Sequence, residues 1–142
     1  MCCCVFGQVL ATDVSEAALA FTSAAASAQG LAAVETRVFD TFAQATSPLP
    51  RADVLLLSDC FVTDELARAH AGRVTEACRR GFSRVFVVDP GRSSRSAFLD
   101  ALGGEFPHDG FVDADECRAR ARAGETLLLL DTDVGAPVSY CI

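Results

Sequence analysis

Four strand-like stretches in this chain each end on an aspartate: "QVLATD" at Asp13, "VETRVFD" at Asp40, "DVLLLSD" at Asp59 and "SRVFVVD" at Asp89. Val5 to Thr12 reads as a short buried strand, and Val34 to Phe39 alternates as a strand does. "DVLLLSDCF" and "SRVFVVDPGR" read as buried strands, fully so for the first, as in a parallel sheet. Helical segments lie between them. Ser15 to Gln29 is one, capped by Asp13 or Ser15 and stopped by Gly30. The next is capped by Thr63 or Asp64, turns Leu66, Ala69, Val74 and Ala77 inward, and ends at Gly81. A third starts at Ser93 or Ser94, carries Phe98, Leu99 and Leu102, and stops at Gly103-Gly104. The order β-α-β-β-α-β-α predicts an α/β fold with a mostly parallel sheet covered by helices on both faces. In such sheets ligands bind beyond the carboxyl ends of the strands. Acids also favour helix N-termini, which accounts for any one of the four; together they point to a ligand-binding end.

The tail reads differently. "CRARARAG" alternates Arg118, Arg120 and Arg122 with small residues, as an edge strand would, although Ala and Arg also suit helix. "ETLLLLD" reads as a strand. A C-terminal antiparallel hairpin turning at Ala123-Gly124 is the expectation.

At 142 residues, with no repeat and no linker, the chain reads as one domain, 1–142. The net charge of −7 argues against a nucleic-acid partner, which needs a basic patch. All 12 basic residues are Arg, so no Lys is present for a phosphate loop, a Schiff base or a general base. No apolar run reaches the roughly 18 residues of a membrane span.

Seven cysteines form no C-x-x-C pair, so zinc-finger spacing is not found and no metal site is expected. An odd count without a clear signal peptide fits free thiols in an intracellular, cytoplasmic compartment. Cys2, Cys3 and Cys4 read as buried or frayed strand rather than a metal site, since neighbours on a strand face opposite ways. His70 reads as a solvated or half-buried helix side chain, and His108 as loop. "DGFVDADE" lacks calcium-loop spacing and reads as a solvated loop. "GRSSRS" reads as a helix cap.

Three stretches carry a resemblance. "VLATDVSEAALAFTSAAASAQGL" resembles the second strand and helix of the seven-strand S-adenosylmethionine-dependent methyltransferases. "RADVLLLSDCFVTDELA" resembles their fourth strand and following loop. "VFVVDPGRSSRSAFLDAL" is similar to the fifth strand and helix of the protein-lysine methyltransferase branch that includes the electron-transfer flavoprotein β-subunit enzyme. Asp-Pro-Gly-Arg after a buried strand is the most specific piece, and the match runs from about Gln8 to Leu102.

The resemblance implies a Rossmann-like sheet and S-adenosylmethionine as cofactor, with a protein lysine side chain as acceptor. It implies that Asp13 accepts hydrogen bonds from both ribose hydroxyls, with Val14 beside it, and that Asp40 lies near the adenine amino group. It places Ser58 and Asp59 where cofactor and substrate meet, with Asp59 as the catalytic residue. In the lysine branch that acid opens an Asp-x-x-Tyr motif; here it reads Asp59-Cys60-Phe61-Val62, without the aromatic hydroxyl. In the implied mechanism a neutral amine attacks the sulfonium methyl in line and no metal is required. Asp59 holds the amine or stabilises its developing charge.

In this family the second strand is preceded by a first strand, a Gly-rich turn and a helix. Here Gly7 is the only glycine before Asp13 and no G-x-G occurs anywhere. A β-α-β unit takes about 30 residues. The expectation is therefore a partial methyltransferase domain, truncated at its N-terminus and lacking the strand between the second and the fourth. "VLATD" and "VLLLS" must then pair directly, recruit "CCCVF", or leave open edges that invite self-association. Two other readings stand beside the enzyme. One is a Rossmann dehydrogenase fragment, which would also use an acid after its second strand. The other is a catalytically inactive remnant or interaction module. A hydrolase lacks support because there is no G-x-S-x-G elbow.

Overall fold

A computed structural model of the chain describes residues 7–103, 110–125 and 127–131. Among them are β1 (Val9–Asp13), α1 (Glu16–Ala28), β2 (Val34–Val38), β3 (Val54–Ser58), α2 (Asp64–Arg79), β4 (Arg84–Asp89), α3 (Arg95–Gly103), α4 (Ala114–Ala123) and β5 (Leu127–Asp131). The architecture is α/β and every strand pairing is parallel. The strands form two sheets, β1-β2 and β3-β4-β5. Each belongs to one of two compact units, divided between Ala43 and Gln44.

The first unit is one β-α-β turn. β1 and β2 run in register from Val9 opposite Val34 to Asp13 opposite Val38. α1 crosses between them and packs on both. The Ser15 side chain accepts the Ala18 N–H at 3.3 Å, and the Asp13 carboxylate accepts the Ser15 N–H at 2.8 Å. At the other end Gly30 takes φ 70°, and the Leu31 N–H reaches back to the Ala26 carbonyl at 2.9 Å. A positive φ is open to glycine at little cost, and this closure satisfies carbonyls the helix leaves unbonded. Leu19 and Ala26 are the buried residues of α1, whereas Phe21 is 79% exposed.

In the second unit β4 is the central strand, with β3 and β5 on either side. Val85, Val87 and Asp89 are fully buried on one of its faces. On the other, Phe86 and Val88, together with Ala121 of α4, pack against the cluster of Val112 and Cys117. α2 packs on α3 and on β4. Phe61 stacks on Phe98 with ring centroids 4.5 Å apart, and the His70 ring lies 6.4 Å from Phe61.

A charged latch ties the Pro-bearing loop before β3 to α2. Glu76 accepts the Leu49 N–H at 2.7 Å, and Arg73 donates to the Ser47 carbonyl and to Glu76, both at 2.8 Å. Arg80 bridges Glu76, at 2.9 Å, and the Leu49 carbonyl. Burial raises the Glu76 pKa, but the Leu49 N–H and the two guanidiniums outweigh it and hold the carboxyl below its ordinary range. Arg73 is buried and Leu49 nearly so, so the latch satisfies a charge and a loop backbone that would otherwise be stranded away from water.

Four expectations are corrected. The C-terminal antiparallel hairpin does not form: "CRARARA" lies within helix α4, and β5 runs parallel to β4. Asp113 decides this by accepting the Asp115 and Glu116 N–H groups at 2.8 and 2.9 Å, while Gly124 closes the helix at φ 94°. The same contacts turn "DGFVDADE", from Gly110 onward, into a helix entry rather than a solvated loop. Neither β1 nor β3 is fully buried, and Leu56 is 62% exposed. His70 is buried, neither solvated nor half-buried. Cys2, Cys3, Cys4 and His108 lie outside the described residues. No helix among the described residues is long and apolar enough to cross a membrane.

His70 Nδ1 has no hydrogen-bond partner among the described residues. Burial, with Arg73 nearby, lowers its pKa from 6.5 to about 4. The folded chain therefore holds the neutral ring, so its contribution is complete above pH 6.5 and is lost as pH falls from there towards 4. Denaturant unfolding should lose roughly 1–2 kcal/mol between pH 6.5 and 5, where carboxylates stay ionised. His70→Leu should flatten that slope; an unchanged slope would assign it to other groups.

Candidate functional site

Parallel strands deliver their carboxyl ends side by side, so the residue after one strand meets the residue after its neighbour. β3 and β4 are aligned with Ser58 opposite Val88, which brings Asp59 beside the turn that follows β4. The Asp59 N–H continues the ladder to the Val88 carbonyl at 2.9 Å. Asp59 then breaks away with φ 55°, the only non-glycine with positive φ among the described residues. Asp is one of the few side-chain residues that tolerates this left-handed conformation. Phe61, two residues on, is fully buried and anchors the departing loop in the core.

The "DPGR" turn is built by Asp89. Its Oδ1 accepts the Gly91 and Arg92 N–H groups at 2.9 and 3.1 Å, and Arg95 Nε at 2.7 Å. Gly91 sits at φ 88°. Arg95 also donates to the Asp89 carbonyl at 3.0 Å, and its guanidinium lies 4.3 Å from the Phe111 ring centroid. Asp89 Oδ2 is buried with no hydrogen-bond partner among the described residues.

Arg92, so presented, grips Asp59 with two parallel bonds, Nε to Oδ1 at 2.5 Å and Nη2 to Oδ2 at 2.8 Å. The pair is open to solvent, with side-chain exposures of 51% for Asp59 and 40% for Arg92. The hydrogen bonds from Arg92, then its charge, hold the Asp59 carboxyl below its ordinary range. Asp59 is thus an ionised acceptor at neutral pH and not a general acid. Ser58 is exposed beside it, and its carbonyl accepts the Cys60 thiol at 3.1 Å.

The other expected site residues lie in the first unit, on adjacent strands. Asp13 ends β1 and its carbonyl accepts the Phe39 N–H at 3.0 Å. Its carboxylate, exposed, holds the Ser15 N–H. Val14 is 65% exposed. Asp40 follows β2 and takes the Phe42 N–H at 2.9 Å. The structure thus brings Asp13 and Asp40 to one sheet end, and Ser58 and Asp59 to another.

Arg92 was not assigned a role from the sequence, and neither were Arg95 and Phe111. The signal for Arg92 was in hand: it closes the Asp-Pro-Gly-Arg motif that carried the resemblance. A shallow cleft of about 480 Å³, lined by Arg51, Ala52, Asp53, Arg80 and Phe82, lies at the amino ends of β3 and β4, the opposite strand ends from Asp59 and Asp89. In comparisons with known proteins, no family model, no curated protein and no solved structure matches the chain.

The left-handed backbone at Asp59 gives a direct test of the site's geometry. Asp59→Ala and Asp59→Gly both remove the carboxylate, but only glycine adopts φ 55° without strain. The glycine variant should be the more stable by roughly five- to thirtyfold in the unfolding equilibrium constant. Equal denaturation midpoints would mean that Asp59 leaves this conformation in solution.

Proposed function

We propose that this chain is an intracellular S-adenosylmethionine-dependent methyltransferase domain whose acceptor is a protein lysine side chain. The observation that carries the reading is the set of acids at the carboxyl ends of parallel strands: Asp13 and Asp40 in one sheet, Asp59 and Asp89 in the other. Ligands of parallel α/β sheets bind at this end. On this reading β1-α1-β2 and β3-α2-β4-α3 correspond in order to the second to third and fourth to fifth strand units of a Rossmann-like methyltransferase.

The acceptors at this sheet end suit the adenosine half of the cofactor. Asp13 keeps one carboxylate oxygen clear of the Ser15 N–H, and a carboxylate can take two hydroxyl donors. Val14 offers exposed apolar surface beside it, and Asp40 offers an acceptor for an exocyclic amine. The bound group supplies an activated methyl on a sulfonium. Asp59 orients the acceptor amine and stabilises positive charge as it develops there, and Ser58 adds a polar contact.

A second reading, an interaction module rather than an enzyme, is favoured by apolar exposure along the strands. Val9 and Val38 in the first sheet and Leu56 in the second are all exposed large side chains. Strands with such surface invite pairing with another chain or a second copy.

Calorimetric titration with S-adenosylhomocysteine separates the two. Weak binding is expected, with Asp13→Ala lowering affinity at least tenfold, because it removes two charge-assisted bonds of roughly 1.5–3 kcal/mol each before water compensates. Binding indifferent to that change would overturn the Asp13 assignment, and no binding at millimolar ligand would sink the methyltransferase reading.

A further inference from the structure

We propose that Arg92 is a positioning residue for Asp59, aimed at it by the buried carboxyl of Asp89. The proposal rests on the reading of Asp59 as the group that meets the acceptor. Three steps connect the two acids. Asp89, fully buried at the end of the central strand, takes the Gly91 and Arg92 N–H groups on one oxygen and so sets the turn. The turn fixes the backbone from which the Arg92 side chain departs. Arg92 then holds both Asp59 oxygens through Nε and Nη2.

The form of that grip matters. A guanidinium edge and a carboxylate are both planar, and two parallel bonds lock the carboxylate against rotation about its last bond. One bond or a point charge would leave that rotation free. The Asp59 backbone is held as well, by its N–H on Val88 and by Phe61 in the core. The turn has its own anchor, since Arg95 binds the same Asp89 oxygen and lies over Phe111. The carboxylate is thus fixed from its backbone and from its tip.

The pair is exposed, and exposed ion pairs add little to stability. Its consequence lies in orientation. Each Asp59 oxygen gives one direction to Arg92 and keeps another for a donor from solution. Because Arg92 offsets the field of Asp59 at a distance, an acceptor amine is held by hydrogen-bond geometry and by the local charge of the carboxylate oxygens, with little long-range attraction. A displacement of about 1 Å in a reacting or orienting group can cost around a hundredfold in rate.

Carbon-detected NMR titration of the aspartate carboxyls in the full chain tests the proposal without requiring turnover, with Asp59→Asn assigning the signal. Arg92→Ala should move the Asp59 midpoint upward while leaving the denaturation midpoint nearly unchanged. Arg92→Lys, which keeps charge but loses the fork, should fall between the two. With a lysine-containing peptide as acceptor, both variants should lower kcat about 10- to 100-fold and leave KM for S-adenosylmethionine unchanged. An unmoved Asp59 midpoint in Arg92→Ala overturns the proposal, as does a Lys variant that restores both midpoint and turnover in full. If the midpoint moves as expected but the unaltered chain transfers no methyl group, the grip of Arg92 stands and the methyltransferase reading falls.

Discussion

A carboxyl group with no solvent exposure organises the end of the central strand. Asp89 occupies the last position of β4, where burial without partners would be costly. One oxygen gathers two backbone N–H groups and a guanidinium. Remove it, and Gly91, Arg92 and Arg95 lose a shared acceptor together. Such networks behave as units, so the loss would exceed that of any single bond. The turn after β4, the entry to α3 and the stacking of Arg95 on Phe111 all follow from this one residue, and the grip on Asp59 follows from the turn.

The two units are built to different standards. In the second, a central strand is covered on both faces, and charges that go inside are matched, as Arg73 is by Glu76 and Ser47. In the first, two strands and one helix enclose little, and Val14, Phe21, Leu31, Val38 and Phe42 remain exposed. Two strands and one helix offer few positions with neighbours on all sides, and isolated two-stranded pieces are marginal in water. Its order comes from local devices instead: the Ser15 cap, the Gly30 closure and short carboxylate-to-backbone bonds at Asp13 and Asp40.

Much of this was legible in the residues. Apolar runs marked the strands, and the caps at Ser15 and Thr63 marked where α1 and α2 begin, because those signals act within a few residues. Burial was harder to read. The run at Leu55, Leu56 and Leu57 declares a preference for a dry environment, but only a neighbour can supply one, and Leu56 has none sufficient. α4 was misread because Arg alternating with Ala satisfies a two-residue period and a helix equally well. The contest was decided outside the repeat, at Asp113 and Gly124, and by ion pairs three and four residues apart such as Arg120 with Glu116. Arg92 and Asp59 are 33 residues apart, and no local pattern announces their meeting. It follows only from the parallel pairing of β3 with β4.

That all-parallel pairing also governs how the chain reaches its structure. Each ladder among the described residues joins strands separated by at least one entire helix, so none of these pairs can zip from a tight turn. Loop closure must precede the first cross-strand bond in every case, which places such topologies roughly in the millisecond-to-second range rather than among microsecond folders. During that interval β4 waits for partners on both sides, with Val85 and Val87 still wet and its backbone unpaired. A second chain in the same condition is then a competing partner. Because that competing association is bimolecular, dilution during refolding favours the chain's own strands.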